Sequence, residues 1–158
     1  MDEALKKAAV AWVSVADGPA YAVWCLSHGD ALYVVSGPGE QSAPGLADAR
    51  TARVTLRGDH GGRIITWSAE VTRLDPDGPE WTEVAPLVAA KRLNAPGTAA
   101  ELVGRWATGC AVNRLVPAAG PATHGTALPD GSLAEPPRET PATRRTRRPF
   151  RLHRVRRR

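Results

Sequence analysis

Two cysteines, one methionine, one phenylalanine and two tyrosines are all that 158 residues hold of these types, and each scarcity excludes something. Cys25 and Cys110 lie far apart among apolar neighbours, without the close spacing of a zinc knuckle or a redox dithiol, so both are expected to be buried thiols. His28 and His60 fall in turns, and His124 and His153 in the C-terminal segment; their spacing predicts no metal site. No run approaches the roughly 18 uninterrupted apolar residues of a membrane-spanning helix. The opening MDEALKK starts with acids and develops no apolar h-region, so no secretory leader is expected and the predicted compartment is the cytoplasm. No Ser, His and Asp set and no carboxylate pair stands out, which leaves the catalytic residues unassigned.

A net positive charge is absent from most of the chain, although the total is +5. Residues 1–137 hold 11 Lys and Arg against 15 Asp and Glu, a net of −4; residues 138–158 hold 10 Arg against Glu139 alone, a net of +9. The basic balance therefore belongs to the C-terminal segment. From residue 118 onward Pro, Ala, Gly, Thr and Arg dominate, and little large apolar surface is available to offset the entropy of ordering. The expected division is a folded domain over 1–117 and a disordered tail over 118–158. Within that tail, RRTRRPFRLHRVRRR suits non-specific contact with nucleic acid through counterion release. It equally suits an anionic membrane surface, where each Arg adds about 1 kcal/mol and Phe150 is a shallow anchor. A solvated terminus without a partner is the third reading.

What the first 117 residues do contain is strand pattern. Six segments carry it: AVAWVSVA (9–16), YAVWCLSH (21–28), ALYVVS (31–36), TARVTLRG (51–58), RIITWSAEVTRL (63–74) and CAVNRLV (110–116). In the fourth, Ala52, Val54 and Leu56 alternate with Thr51, Arg53, Thr55 and Arg57, the period of two expected when one face is buried. Asp17-Gly18-Pro19, Gly29-Asp30 and Gly58-Asp59-His60-Gly61-Gly62 supply reversals between strands. A helical region follows over 80–94, where Trp81, Val84 and Val88 share a face and Pro86 predicts a kink or a late start. Thr98 and Glu101 have the spacing of a capping box, which predicts a second short helix over about 99–107. The sum is a mainly β, α+β fold: a six-stranded antiparallel barrel with two short helices at its mouth.

Between the third and fourth strands lies VVSGPGEQSAPGL (34–46), a glycine- and proline-rich elbow with one helical turn expected at 46–49. The stretches DALYVVSGPGEQSAPGLADARTARVTL, GGRIITWSAEVTRL and AAKRLNAP resemble the pyridoxamine 5'-phosphate oxidase-like split-barrel family, whose members include FMN- and deazaflavin-binding reductases. The resemblance implies a homodimer with a flavin in a groove between two barrels, and a phosphate held by the loop after the third strand. It places Ser36, Gly37 and Ser42 at that phosphate. The family's loop cation is missing here, because Gly37 through Ala49 contains no Lys or Arg and adds Glu40 and Asp48. Compensating charge is expected from Arg50, Arg53 or Arg57. The alternative is that Pro38, Gly39, Pro44 and Gly45 shape a tight connection that binds nothing. Trp24 and Trp67 are the candidates to stack on a flavin ring, with core packing as the competing use.

Two functions follow. One is an FMN- or deazaflavin-dependent oxidoreductase acting on an unknown small molecule. The other is a cofactor-free binding or scaffolding module whose arginine-rich segment makes the contact.

Overall fold

The computed structural model describes residues 2–57, 63–124, 127–128, 131 and 134–136. The Gly58–Gly62 reversal and the arginine-rich segment 138–158 lie outside the described residues.

In chain order the elements are α1 (Asp2–Lys7), β1 (Val10–Ser14), β2 (Tyr21–Trp24), β3 (Leu26–His28), β4 (Ala31–Ser36), a 3₁₀ turn (Leu46–Asp48) and β5 (Thr51–Arg57). They continue as β6 (Arg63–Arg73), α2 (Pro79–Lys91), α3 (Ala99–Gly109), β7 (Ala111–Pro117) and β8 (Thr123–His124). The strands form one sheet in the order β2-β1-β5-β6-β7-β4-β3, with β8 added on β6, and every strand pair is antiparallel. The two ends of that order, β2 and β3, are separated in sequence by Cys25 alone. One bent segment thus serves both edges: its first half pairs with β1 and its second half with β4. The sheet is thereby curled into a nearly closed barrel that leaves little free edge.

The expected split barrel is the observed architecture, with local differences. The second strand is two strands, because the chain must turn at Cys25 to reach both neighbours. An N-terminal helix is added, and the chain beyond Pro117 contributes β8, where His124 and Thr123 stand opposite Ile65 and Thr66. The helix α2 begins at Pro79 and runs through Pro86 without a break. Proline is suited to the first turn of a helix. At the second site, Pro86 and Thr82, whose carbonyl loses its helical partner, are both exposed, so water can replace the lost bond. The capping box of α3 forms as expected: Glu101 N–H donates to Thr98 Oγ1 at 3.2 Å and Thr98 N–H donates to Glu101 Oε2 at 2.7 Å.

Two apolar clusters hold the elements in place. Inside the barrel are Val13, Val23, Leu32, Val34, Val54, Ile65, Trp67 and Leu115, plugged at one end by Leu46 from the 3₁₀ turn. Outside the barrel, Tyr33, Val35 and Val112 meet Trp81, Val84 and Val88 of α2 and Leu102 and Trp106 of α3. Each of these buried large side chains is worth about 1.5–3 kcal/mol. Cys25 and Cys110 are both buried and free. Burial pushes the Cys25 thiol up to about 12. Burial, with Glu40 second, also raises Cys110, so neither sulfur is poised as a thiolate near neutral pH.

Candidate functional site

At the elbow end of the barrel, β4, β7 and β6 run side by side. Ser36 stands opposite Ala111, and Asn113 stands opposite both Val34 and Arg73. Cross-strand partners share a face, and positions two apart on a strand share it as well. Ser36, Asn113 and Arg73 therefore project from the same face that carries Val34 and Leu115 into the barrel. The elbow folds over this end and leaves a cavity of about 460 Å³, lined among others by Ser36, Gly37, Glu40, Ser42, Arg73 and Cys110.

Of the residues expected at a phosphate, Ser36, Gly37 and Ser42 are brought together here. Arg50, Arg53 and Arg57 do not line the cavity. Arg50 and Arg53 are exposed, the latter opposite Ser14 of β1 and Ser68 of β6. Arg57 lies 4.2 Å over the ring of Trp12 in a cation–π contact. The cation that does line the cavity is Arg73, at the end of β6. Its guanidinium donates a long bond, 3.5 Å, to the Cys110 carbonyl, and among the described residues it has no carboxylate partner. In the sequence, Arg73 closes a strand 27 residues beyond the end of the elbow, and only the β6–β7–β4 pairing carries it back. Asn113 likewise carries no local signal in the sequence. It lies in phase with Ala111 and Leu115, an inward position where a polar residue is costly without a partner. It is fully buried; its amide nitrogen reaches Ser36 Oγ and the Ala111 carbonyl at 3.4 Å each, and its Oδ1 has no partner among the described residues.

Glu40 is the other feature that charge counting misplaces. Its side chain is fully buried, and its two oxygens accept from Arg92 Nε at 2.8 Å, a terminal guanidinium nitrogen of Arg105 at 3.0 Å and Trp106 Nε1 at 3.0 Å. One carboxylate against two guanidiniums leaves the clamp with a net positive charge. The acid that looked adverse to a phosphate is thus neutralised internally and ties the elbow to the end of α2 and to α3. Gly37 allows the loop to pass close to the next element: its φ is 142°, and a Cβ there would lie 2.9 Å from both Cα and Sγ of Cys110.

The tryptophans divide by role. Trp67, Trp81 and Trp106 are buried in the two apolar clusters. Trp24 is half-buried beside the elbow, where its backbone N–H donates to Gln41 Oε1.

No family model matches the chain, and no curated protein matches it in sequence. Solved structures do match its fold. The heme storage protein HutZ from Vibrio cholerae aligns with a TM-score of 0.56 at 12% identity, over 78% of this chain and 90% of that one. A candidate pyridoxamine 5'-phosphate oxidase from Listeria innocua aligns with a TM-score of 0.52 at 13% identity, over 77% of this chain and 92% of that one. At such identities the likeness is one of fold, and activity is not transferred by fold.

Proposed function

We propose that the elbow cavity takes the phosphate of a flavin nucleotide, FMN or a deazaflavin, and that the chain is a flavin-dependent oxidoreductase acting on a small molecule. The observation that carries this reading is the meeting of Ser36, Gly37 and Ser42 with an arginine, Arg73, that has no acidic partner among the described residues. The donor set fits a phosphate. Two hydroxyls and a guanidinium can donate to its oxygens, and Glu40 does not oppose its charge because two arginines already hold that carboxylate. Arg73 neutralises charge, Ser36 and Ser42 orient oxygens, and Gly37 keeps the backbone low enough for close approach. A bound flavin supplies hydride transfer, while the chain supplies position and exclusion of water. The shared fold with a protein named for oxidase chemistry supports the reading. A second copy of the chain completes the groove, so the protein is a homodimer in this proposal, and its compartment is the cytoplasm.

Titration with FMN and with a deazaflavin, followed by fluorescence, tests it. Saturable quenching is expected for one of them, and Arg73→Ala should weaken that cofactor about tenfold or more, the size of one charge-assisted bond. Arg53→Ala should leave the affinity unchanged. Colourless protein with no quenching by either cofactor would remove the proposal.

A second reading has one observation in its favour. Glu40 occupies Arg92 and Arg105, two cations close to the elbow, as it would in a barrel that holds no phosphate. The chain is then a cofactor-free binding module whose segment 138–158 contacts nucleic acid or an anionic membrane. Salt-sensitive retention on heparin, lost on deletion of 138–158 and accompanied by no flavin binding, would select it.

A further inference from the structure

A second and larger cavity, about 740 Å³, flanks the elbow: Gln41 lines it, while the adjacent Glu40 and Ser42 line the first. Its walls come from three places in the fold, the end of α1 at Lys6, the bend between β2 and β3 at Trp24, and the end of α2 at Lys91–Asn94. Three cations, Lys6, Lys91 and Arg92, line it, and no Asp or Glu does. Arg92 is held by Glu40, but Lys6 and Lys91 are exposed and have no ion pair among the described residues.

Each lysine taken alone is accounted for by its place in the last turn of a helix, where a cation offsets the helix dipole. That effect does not explain why both converge on one apolar surface. Val10 is 49% exposed and Leu93 78%, and both line this cavity with the Trp24 ring, over which the Arg92 guanidinium lies at 5.7 Å. Exposed large apolar side chains and a flat ring that share a cavity with two lysines lacking an ion pair among the described residues match a ligand with the complementary halves. We infer that this cavity binds a small organic anion with a planar apolar body, such as an aromatic carboxylate or sulfonate. The ring rests on Val10 and Leu93 beside Trp24, whose face Arg92 already covers, and the acid group faces Lys6 and Lys91. The inference does not depend on a flavin in the elbow cavity, since the two share no lining residue.

The probe is anilinonaphthalenesulfonate, with uncharged phenylnaphthylamine as its counterpart, added to the full-length protein. One saturable sulfonate site per chain is expected, weakened about tenfold in the Lys6→Ala/Lys91→Ala double variant, because two exposed charge contacts are lost together. The uncharged dye should bind the double variant as it binds the parent, and the urea midpoint should not move. Absence of a saturable site, equal weakening of both dyes, or displacement of the sulfonate by FMN would overturn the inference. So would a dimer in sedimentation that dissociates in the double variant, since a second copy would then be the occupant.

Discussion

The strands β4 and β5 are joined by the elbow and are of similar length, yet they are buried in different ways. Every residue of β4 is buried, whereas β5 alternates, with Ala52, Val54 and Leu56 buried and Thr51 and Arg53 exposed. The cause is coverage. Leu32 and Val34 of β4 face the barrel interior while Tyr33 and Val35 face α2 and α3, whereas on β5 only the inner face is covered. Where the doubly covered strand ends, the helices above it bring Arg92 and Arg105 over the elbow, and the sheet beside it brings Arg73. The wet strand sends its own arginines outward. Position in the layers, more than nearness in sequence, decides which cations reach the cavity.

The most direct way to break this comparison is to remove the acid that fixes the elbow under the helices. Glu40→Ala leaves two guanidiniums and the Trp106 N–H without their acceptor, and should cost about 3 kcal/mol in urea denaturation. That is toward the lower end for a buried ion pair, because the side chains of Arg92 and Arg105 remain 21% and 39% exposed and can turn to water. Glu40→Gln should cost less than Glu40→Ala, since an amide oxygen still accepts from Trp106. A loss below about 0.5 kcal/mol for Glu40→Ala would show that the clamp behaves as an ordinary surface pair.

A paired substitution sharpens the contrast at the next level. Val35→Ala on the outer face of β4 removes two methyl-sized groups from a fully buried position and should cost about 2 kcal/mol. Arg53→Ala on the outer face of β5 should stay within about 0.5 kcal/mol. Similar costs at the two sites would contradict the assignment of one outer face to the helices and the other to water.

The same layering sets how much could be read beforehand. The β5 pattern was legible because a strand with one wet face writes its burial as a period of two. β4 reads only as an apolar run, which fixes a strand and not what covers it. The capping box of α3 was legible because both partners lie within four residues. The cavity was half legible: Ser36, Gly37 and Ser42 are local to the elbow and do converge. Arg73 and Asn113 reach it through strand order, and Glu40 reads as adverse in the sequence because its partners lie 52 and 65 residues away. Long-range pairing leaves no local mark in the chain, so charge in a loop cannot be summed from the loop alone.

The smallest expected effect tests the covered face of β4 through proton linkage. Tyr33 donates from its hydroxyl to Glu80 Oε1 at 2.8 Å, and Arg114 Nε approaches the same oxygen at 3.3 Å. Burial first, and then the hydrogen bond and charge of Glu80, push the phenol up to about 12, against a reference near 10. A raised folded-state value means the stabilising contribution is whole below pH of about 10, where both states are neutral, and falls as pH climbs from about 10 toward about 12. Tyr33→Phe should therefore cost about 1 kcal/mol at neutral pH, and the gap from the parent protein should narrow across that alkaline interval. A gap that stays constant with pH would place the phenol in contact with water, and would remove α2 from the outer face of β4.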